Sequence, residues 1–260
     1  MNFDVHPSER PGATTVLLSA GLGGAAGYWT PQLAALTARY HVITYDQSGT
    51  GRARATKLPA GYAISDMADE VLGILDATST KSCHFVGHAL GGLAGVDLAL
   101  RHPDRVRSLT IVNGWATADA HTRRCFEIRV ALLKSAGPEA YVRAQPIFLY
   151  PATWLAANAE RMVAEDAHAL SGFQGSDNLL RRIEALLSFD ATAQLDALNL
   201  PVLLSVARDD VLVSCSQSEA LAARLPDALL DVAPFGGHAH NVTEPAAFNE
   251  LLLGFLDRQA

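Results

Sequence analysis

Residues 85–95 read FVGHALGGLAG. Gly87 and Gly91 bracket a turn with Ala89 at its apex, directly after an apolar run. The spacing is that of the nucleophile elbow Gly-x-Ser-x-Gly, in which a strand turns sharply into a helix and lifts a serine hydroxyl into a site. Here the glycines are in place and the hydroxyl is missing. The bland alternative is an ordinary strand–helix turn in which Gly87, Ala89, Gly91 and Gly92 serve only close packing. The surrounding sequence has to decide between them.

Outward from the elbow, short apolar runs recur at 15–19, 41–45, 83–86, 108–112, 202–206 and 229–232. Runs this short and rich in Val, Leu and Ile suit strands buried on both faces of a sheet. Helical patterns at 64–77 and 90–101 lie between them, which predicts an α/β fold with a mostly parallel central sheet and flanking helices. The final helix is punctuated by Thr243 as cap and Pro245 in its first turn. From 115 to 198 the alternation stops. FEIRVALLKSAG, EAYVRA, WLAANAERMVAEDAHAL and NLLRRIEALLSF are helix-like, with hardly any strand signal. They predict a helical cap at 115–198 inserted into a core of 1–114 and 199–260, over the sheet edge where such folds bind ligands.

Two glycine loops flank the question. Residues 21–26, GLGGAA, match a dinucleotide fingerprint, with Asp46 at the end of the next strand. Proline argues against that reading, because a helix starting near Gly23 would hold Pro31 in its interior at a cost of about 3 kcal/mol. An open loop instead makes Thr30 the N-cap and Pro31 the first helical residue. The Leu22 amide can then serve as one half of an oxyanion hole, with the Leu90 amide after the apex as the other. Downstream, Asp209-Asp210 follows the strand at 202–206, and His238 in GGHAH follows the next. Elbow, acid, histidine is a triad order. Asp210 is preferred because of Asp-x-x-Val with Ser214 behind it; His238 is preferred because two glycines open its loop, with His240 as the fallback. His88, beside the apex, is expected to point away.

Bulk composition excludes several classes. At 260 residues the chain holds one large core, and 49% apolar with 18% charged residues describes a globule. A net charge of −7 provides no basic face for nucleic acid. No run approaches the roughly 18 apolar residues of a membrane span. MNFDVHPSERPG lacks a basic start and an apolar stretch, so a cytoplasmic protein is expected. Cys83, Cys125 and Cys215 are scattered and odd in number, which fits reduced thiols and no metal site. No cofactor is implied. The expected partner is a small molecule, and a homodimer is the default assembly.

With elbow, acid and histidine in order, the chain resembles the α/β-hydrolase family over its whole length. YDQSGTG at 45–51 is similar to the family's D-x-R-G-x-G loop, with Ser48 where arginine is usual. NGW at 113–115, AHTRRCF at 120–126, AQPIFLYPATW at 144–154, FQGSDNLLRR at 173–182 and GGHAHNVT at 236–243 resemble, more narrowly, the RutD family. That resemblance includes GHALG, so it implies that Ala89 is native. It also implies hydrolysis of a carbamate or of aminoacrylate in pyrimidine catabolism. Neither substrate needs a covalent intermediate, since one falls apart readily and the other tautomerises to an imine that water attacks. His238, supported by Asp210, would then activate a water or move a proton, with Ala89 leaving it room. Trp115, Phe148, Trp154 and Phe173 are candidates for pocket walls; His121, Arg123 and Arg124 for holding an anion; Gln145 and Asn241 for polar contacts. The alternatives are a binding protein that has lost its chemistry and an ordinary esterase with its serine replaced.

Overall fold

A computed structural model describes residues 2–259. Seven strands form one sheet: β1 Asn2–His6, β2 Thr15–Ser19, β3 His41–Asp46, β4 Cys83–His88, β5 Val106–Val112, β6 Val202–Ala207 and β7 Ala228–Ala233. Their order is β1-β3-β2-β4-β5-β6-β7, and only β1 runs antiparallel, along β3. The sequence reading passed over β1. Asn-Phe-Asp-Val-His is short and half polar, as suits an edge strand with one partner.

Strands β2 to β6 alternate between two buried faces, while β7, at the opposite edge, is only partly buried. From β2, Leu17 joins Ile43, Phe85 and Leu109 on one side, packed against α2 (Ile64–Ala77) and α3 (Leu90–Arg101). Val16 and Leu18 join Val86 and Leu203 on the other, packed against α1 (Thr30–Thr37) and, at the chain's end, α10 (Pro245–Asp257). Each such side chain contributes about 1.5–3 kcal/mol on full burial, which fixes the strand register.

Between β5 and β6 the chain runs through α4 (Ala120–Leu149), α5 (Ala152–Ala157), α6 (Ala159–Ser171) and α7 (Ser176–Ser188). Gly137, at φ 83°, breaks α4 just before Pro138. These helices pack their apolar faces on the elbow side of the sheet, where Phe126, Leu179 and Leu186 meet Ala89, Leu90 and Trp115. After β6 come α8 (Cys215–Ala222) and the short α9 (His240–Thr243).

Two expected caps differ. A 3₁₀ turn at Ala26–Trp29 leads into α1, so Pro31 is in the first turn as expected, but the Thr30 hydroxyl donates back to the Gly27 carbonyl. The Thr243 hydroxyl likewise donates to Gly236, and Glu244 occupies the N-cap of α10. In both cases the hydroxyl donates to a preceding carbonyl and does not accept a helix amide.

Candidate active site

The turn at 87–91 has the strained strand-to-helix shape of a nucleophile elbow, with Ala89 at its apex. Ala89 adopts φ 44°, ψ −113°, a conformation that costs a residue with a Cβ about 1–3 kcal/mol. Its amide donates to the Val112 carbonyl of β5 at 2.8 Å. The glycines are needed for contact rather than flexibility. A Cβ on Gly91 would stand 2.3 Å from the Ser19 carbonyl oxygen, and one on Gly87 2.5 Å from the Gly91 backbone. The turn is therefore wedged between β2 and α3. Leu90 is the first residue of α3, so its amide has no intrahelical acceptor.

The Leu22 amide is aimed by its own peptide group. The Gly21 carbonyl accepts from the Gly24 amide at 3.0 Å and from Arg182 Nη2 at 3.3 Å. In a trans peptide the N–H points the opposite way, so the Leu22 N–H is turned from Arg182, and Leu22 lines the cavity. Arg182 is fully buried; it also donates to the Leu22 carbonyl and to Gln47 Oε1. Gln47 in turn donates to the Ala20 carbonyl at 2.6 Å. Ser48, at the place of the usual arginine, donates its hydroxyl to Glu70.

The acid and the histidine meet as the sequence suggested. His238 Nδ1 donates to Asp210 Oδ2 at 2.8 Å, both side chains being buried. The second oxygen of Asp210 accepts the Leu212 and Val213 amides, and Asn113 Nδ2 reaches Oδ2 at 2.5 Å. Burial pushes the Asp210 carboxyl up, but the His238 imidazole and these donors outweigh it and hold it below the usual range. Asp209 instead accepts the Gly236 and Gly237 amides. His240 turns to Ser205 at 2.9 Å, and burial lowers its pKa to about 4.

Sheet, elbow and helices enclose a cavity of about 340 Å³, lined by Ala89, Leu22, Leu90 and His238 together with Trp115, Gln145 and Phe173. The remaining sequence candidates lie elsewhere. His121 donates to the Val211 carbonyl, Arg123 donates to the Ala118 and Leu187 carbonyls, and Arg124 is exposed. All three are exposed, and none lines the cavity. Trp154 stacks on Tyr150 at 4.7 Å, and Asn241 accepts from the Tyr28 hydroxyl. Phe148 packs beside Arg129 without lining the cavity. His88 does not point away. It lines the cavity, its Nε2 donates to the His238 carbonyl at 2.7 Å, and Gly21 lacks a Cβ where one would strike its ring. Burial and the neighbouring His238 lower its pKa to about 3, so it serves as a neutral support. Tyr28, Tyr141 and Arg129 also line the cavity, and the sequence reading missed them. Among the described residues, no group of three or more His, Cys, Asp or Glu side chains could hold a metal ion, and no helix is long and apolar enough to cross a membrane.

The strand order, the elbow and the acid–histidine pair define an α/β-hydrolase; the alpha/beta hydrolase fold family matches residues 14–137. The enol-lactonase from Burkholderia xenovorans LB400 has the same fold, with a TM-score of 0.89 over 98% of this chain and 95% of that one at 23% identity. Within that class the chain belongs to the RutD family. A relative from Variovorax paradoxus is 54% identical over 260 residues, covering 99% of this chain and 96% of the relative. One from Stutzerimonas stutzeri is 49% identical over 259 residues, covering 100% and 97%. Both carry the name "Putative carbamate hydrolase RutD".

Proposed function

We propose that this protein hydrolyses the C–N bond of a small acid, a carbamate or aminoacrylate, by non-covalent assistance to water or to a leaving amine. The observation that carries this reading is the buried Asp210–His238 pair, whose imidazole lines one cavity with an elbow whose apex is alanine. Because Nδ1 of His238 is committed to Asp210, the proton-accepting position is Nε2. For an imine tautomer, Nε2 takes a proton from the attacking water and delivers it to the nitrogen, giving a carbinolamine. The imidazole then carries the proton of the carbinolamine hydroxyl to the nitrogen as the carbonyl forms, the C–N bond breaks and ammonia leaves. For carbamate, the same imidazole delivers the proton that nitrogen needs as CO2 and ammonia separate. On the imine route the Leu22 and Leu90 amides stabilise negative charge developing on the water-derived oxygen. Ala89, ending at a methyl group, leaves space for the water and forms no acyl intermediate. Residues 115–198 act as the cap that encloses this reaction above the core of 1–114 and 199–260. The names of the relatives support the carbamate form, and the family resemblance supports a place in cytoplasmic pyrimidine degradation.

Decay of carbamate and of aminoacrylate near pH 7, each without protein, with this protein and with His238→Ala, tests the proposal. Acceleration that disappears with His238 is the expected result, and the substrate that shows it is the real one. Spontaneous rates in all three samples would leave a ligand-binding role in place of catalysis.

A further inference from the structure

The α4 helix carries, inside the cavity, a cation with no ion-pair partner among the described residues. Arg129 is 3% exposed and lines the same cavity as Ala89 and His238. Its Nη2 donates to the Tyr141 hydroxyl at 2.8 Å and to Gln145 Oε1. Its Nε is buried and has no partner, and among the described residues no carboxylate forms an ion pair with it. Around it stand the rings of Phe126, Tyr141 and Phe148, at 4.8, 5.3 and 5.5 Å from the guanidinium carbon. Burial lowers its pKa, yet a guanidinium stays charged in water-accessible protein. An unpaired charge in such a place is expensive, and buried charges are ordinarily paired or bound to a ligand.

We infer that Arg129 is the anchor for a carboxylate of the substrate, held by the planar guanidinium while the rest of the molecule reaches toward His238 and the elbow. The inference rests on the hydrolase reading only for what lies at the far end of the ligand. It also sorts the substrates by class. In a carbamate the carboxylate is itself the reacting group, and C–N cleavage removes charge from the oxygens a cation would hold. A short acid whose carboxylate sits one or two carbons from the scissile C–N bond keeps its charge throughout and profits from the anchor. Among the described residues Arg129 makes no hydrogen bond to Ala89, His238 or the Leu22 loop, so anchor and reaction centre are separate groups.

Propionate and its neutral isostere propionamide provide the test, titrated against the intact protein by NMR. Neither is a substrate, so binding is read independently of turnover. Propionate should saturate and propionamide bind at least about tenfold more weakly, as expected when a charge-assisted pair is lost. Arg129→Gln should abolish that preference, Arg129→Lys should restore part of it, and Arg124→Gln on the outer face should leave it intact. Equal binding of the two probes by the unaltered protein overturns the proposal without any variant, as does a preference that survives Arg129→Gln. Propionate binding that depends on Arg129 in a protein without hydrolytic activity would sink the reaction and leave the anchor standing.

Discussion

Asp210→Asn separates the geometry of the site from its chemistry. The carboxylate accepts four hydrogen bonds: the Leu212 and Val213 amides on Oδ1, at 2.8 and 2.9 Å, and His238 and Asn113 on Oδ2. An amide that keeps its oxygen on the two backbone donors turns its NH2 toward His238 and Asn113. Asn113 can adapt, since its Oδ1 is buried without a partner and a turned amide presents it as an acceptor. His238 can adapt only by accepting at Nδ1, which moves its proton to Nε2. The fold therefore loses charge assistance rather than whole hydrogen bonds. At about 1 kcal/mol for each of four bonds, partly offset because no carboxylate has to be desolvated, the cost is about 2 kcal/mol. That lowers Tm by about 5 °C for a chain of this size. Activity should fall about 10³–10⁴-fold, as in serine-protease triads whose histidine is held in the wrong tautomer. Calorimetry reads the first number, turnover above the spontaneous rate the second, and ¹⁵N shifts of His238 the tautomer. A folded variant within tenfold of full activity would refute the assignment of Nε2 as the proton acceptor. A Tm loss several times larger would refute the rewiring.

Three of the four buried histidines make the fold acid-sensitive. Burial lowers His84 to a pKa of about 4, His88 to about 3 and His240 to about 4, so the unfolded chain takes up protons first as pH falls below about 6.5. Each removes about 1.4 kcal/mol of stability per pH unit between there and its folded value. Urea midpoints should fall steeply from pH 6.5 to 4.5, and His84→Gln, in mid-sheet, should flatten the slope by about a third; a level profile contradicts this. Ala89→Gly should raise stability by about 1 kcal/mol, because relief of the strained torsion exceeds the added freedom of the unfolded chain; a lower urea midpoint counts against strain. Ala89→Ser should give an acyl-enzyme burst on activated esters, seen by intact mass, and no adduct would show that His238 does not reach the apex. Arg182→Met should cut turnover about 10²-fold or more by releasing the Leu22 peptide, with propionate binding unchanged; loss of both together would make Arg182 a binding group.

The site was legible where chemistry is encoded locally. Gly87-x-Ala89-x-Gly91, the Asp210 turn and Gly236-Gly237-His238 each fix a backbone shape within a few residues, and the parallel sheet only had to bring them together. Helix ends at 64–77 and 90–101 could be read for the same reason. The anion-holding residue could not. Arg123, Arg124 and Arg129 all look like exposed helical arginines in HTRRCFEIR, and which one turns inward depends on how α4 rolls against α6 and α7. Tertiary contacts also decided His88. The role of Arg182 depends on carbonyls some 160 positions away, and no local pattern announces such a partner.

At the codon level the strained apex has a plain implication. Every alanine codon becomes a serine codon by changing its first base from G to T. The feature of a serine hydrolase that a single base change cannot rebuild is the strand–turn–helix wedge, and here it is kept. An alanine apex and a serine apex are thus neighbours in sequence space, one base change apart on the same backbone wedge.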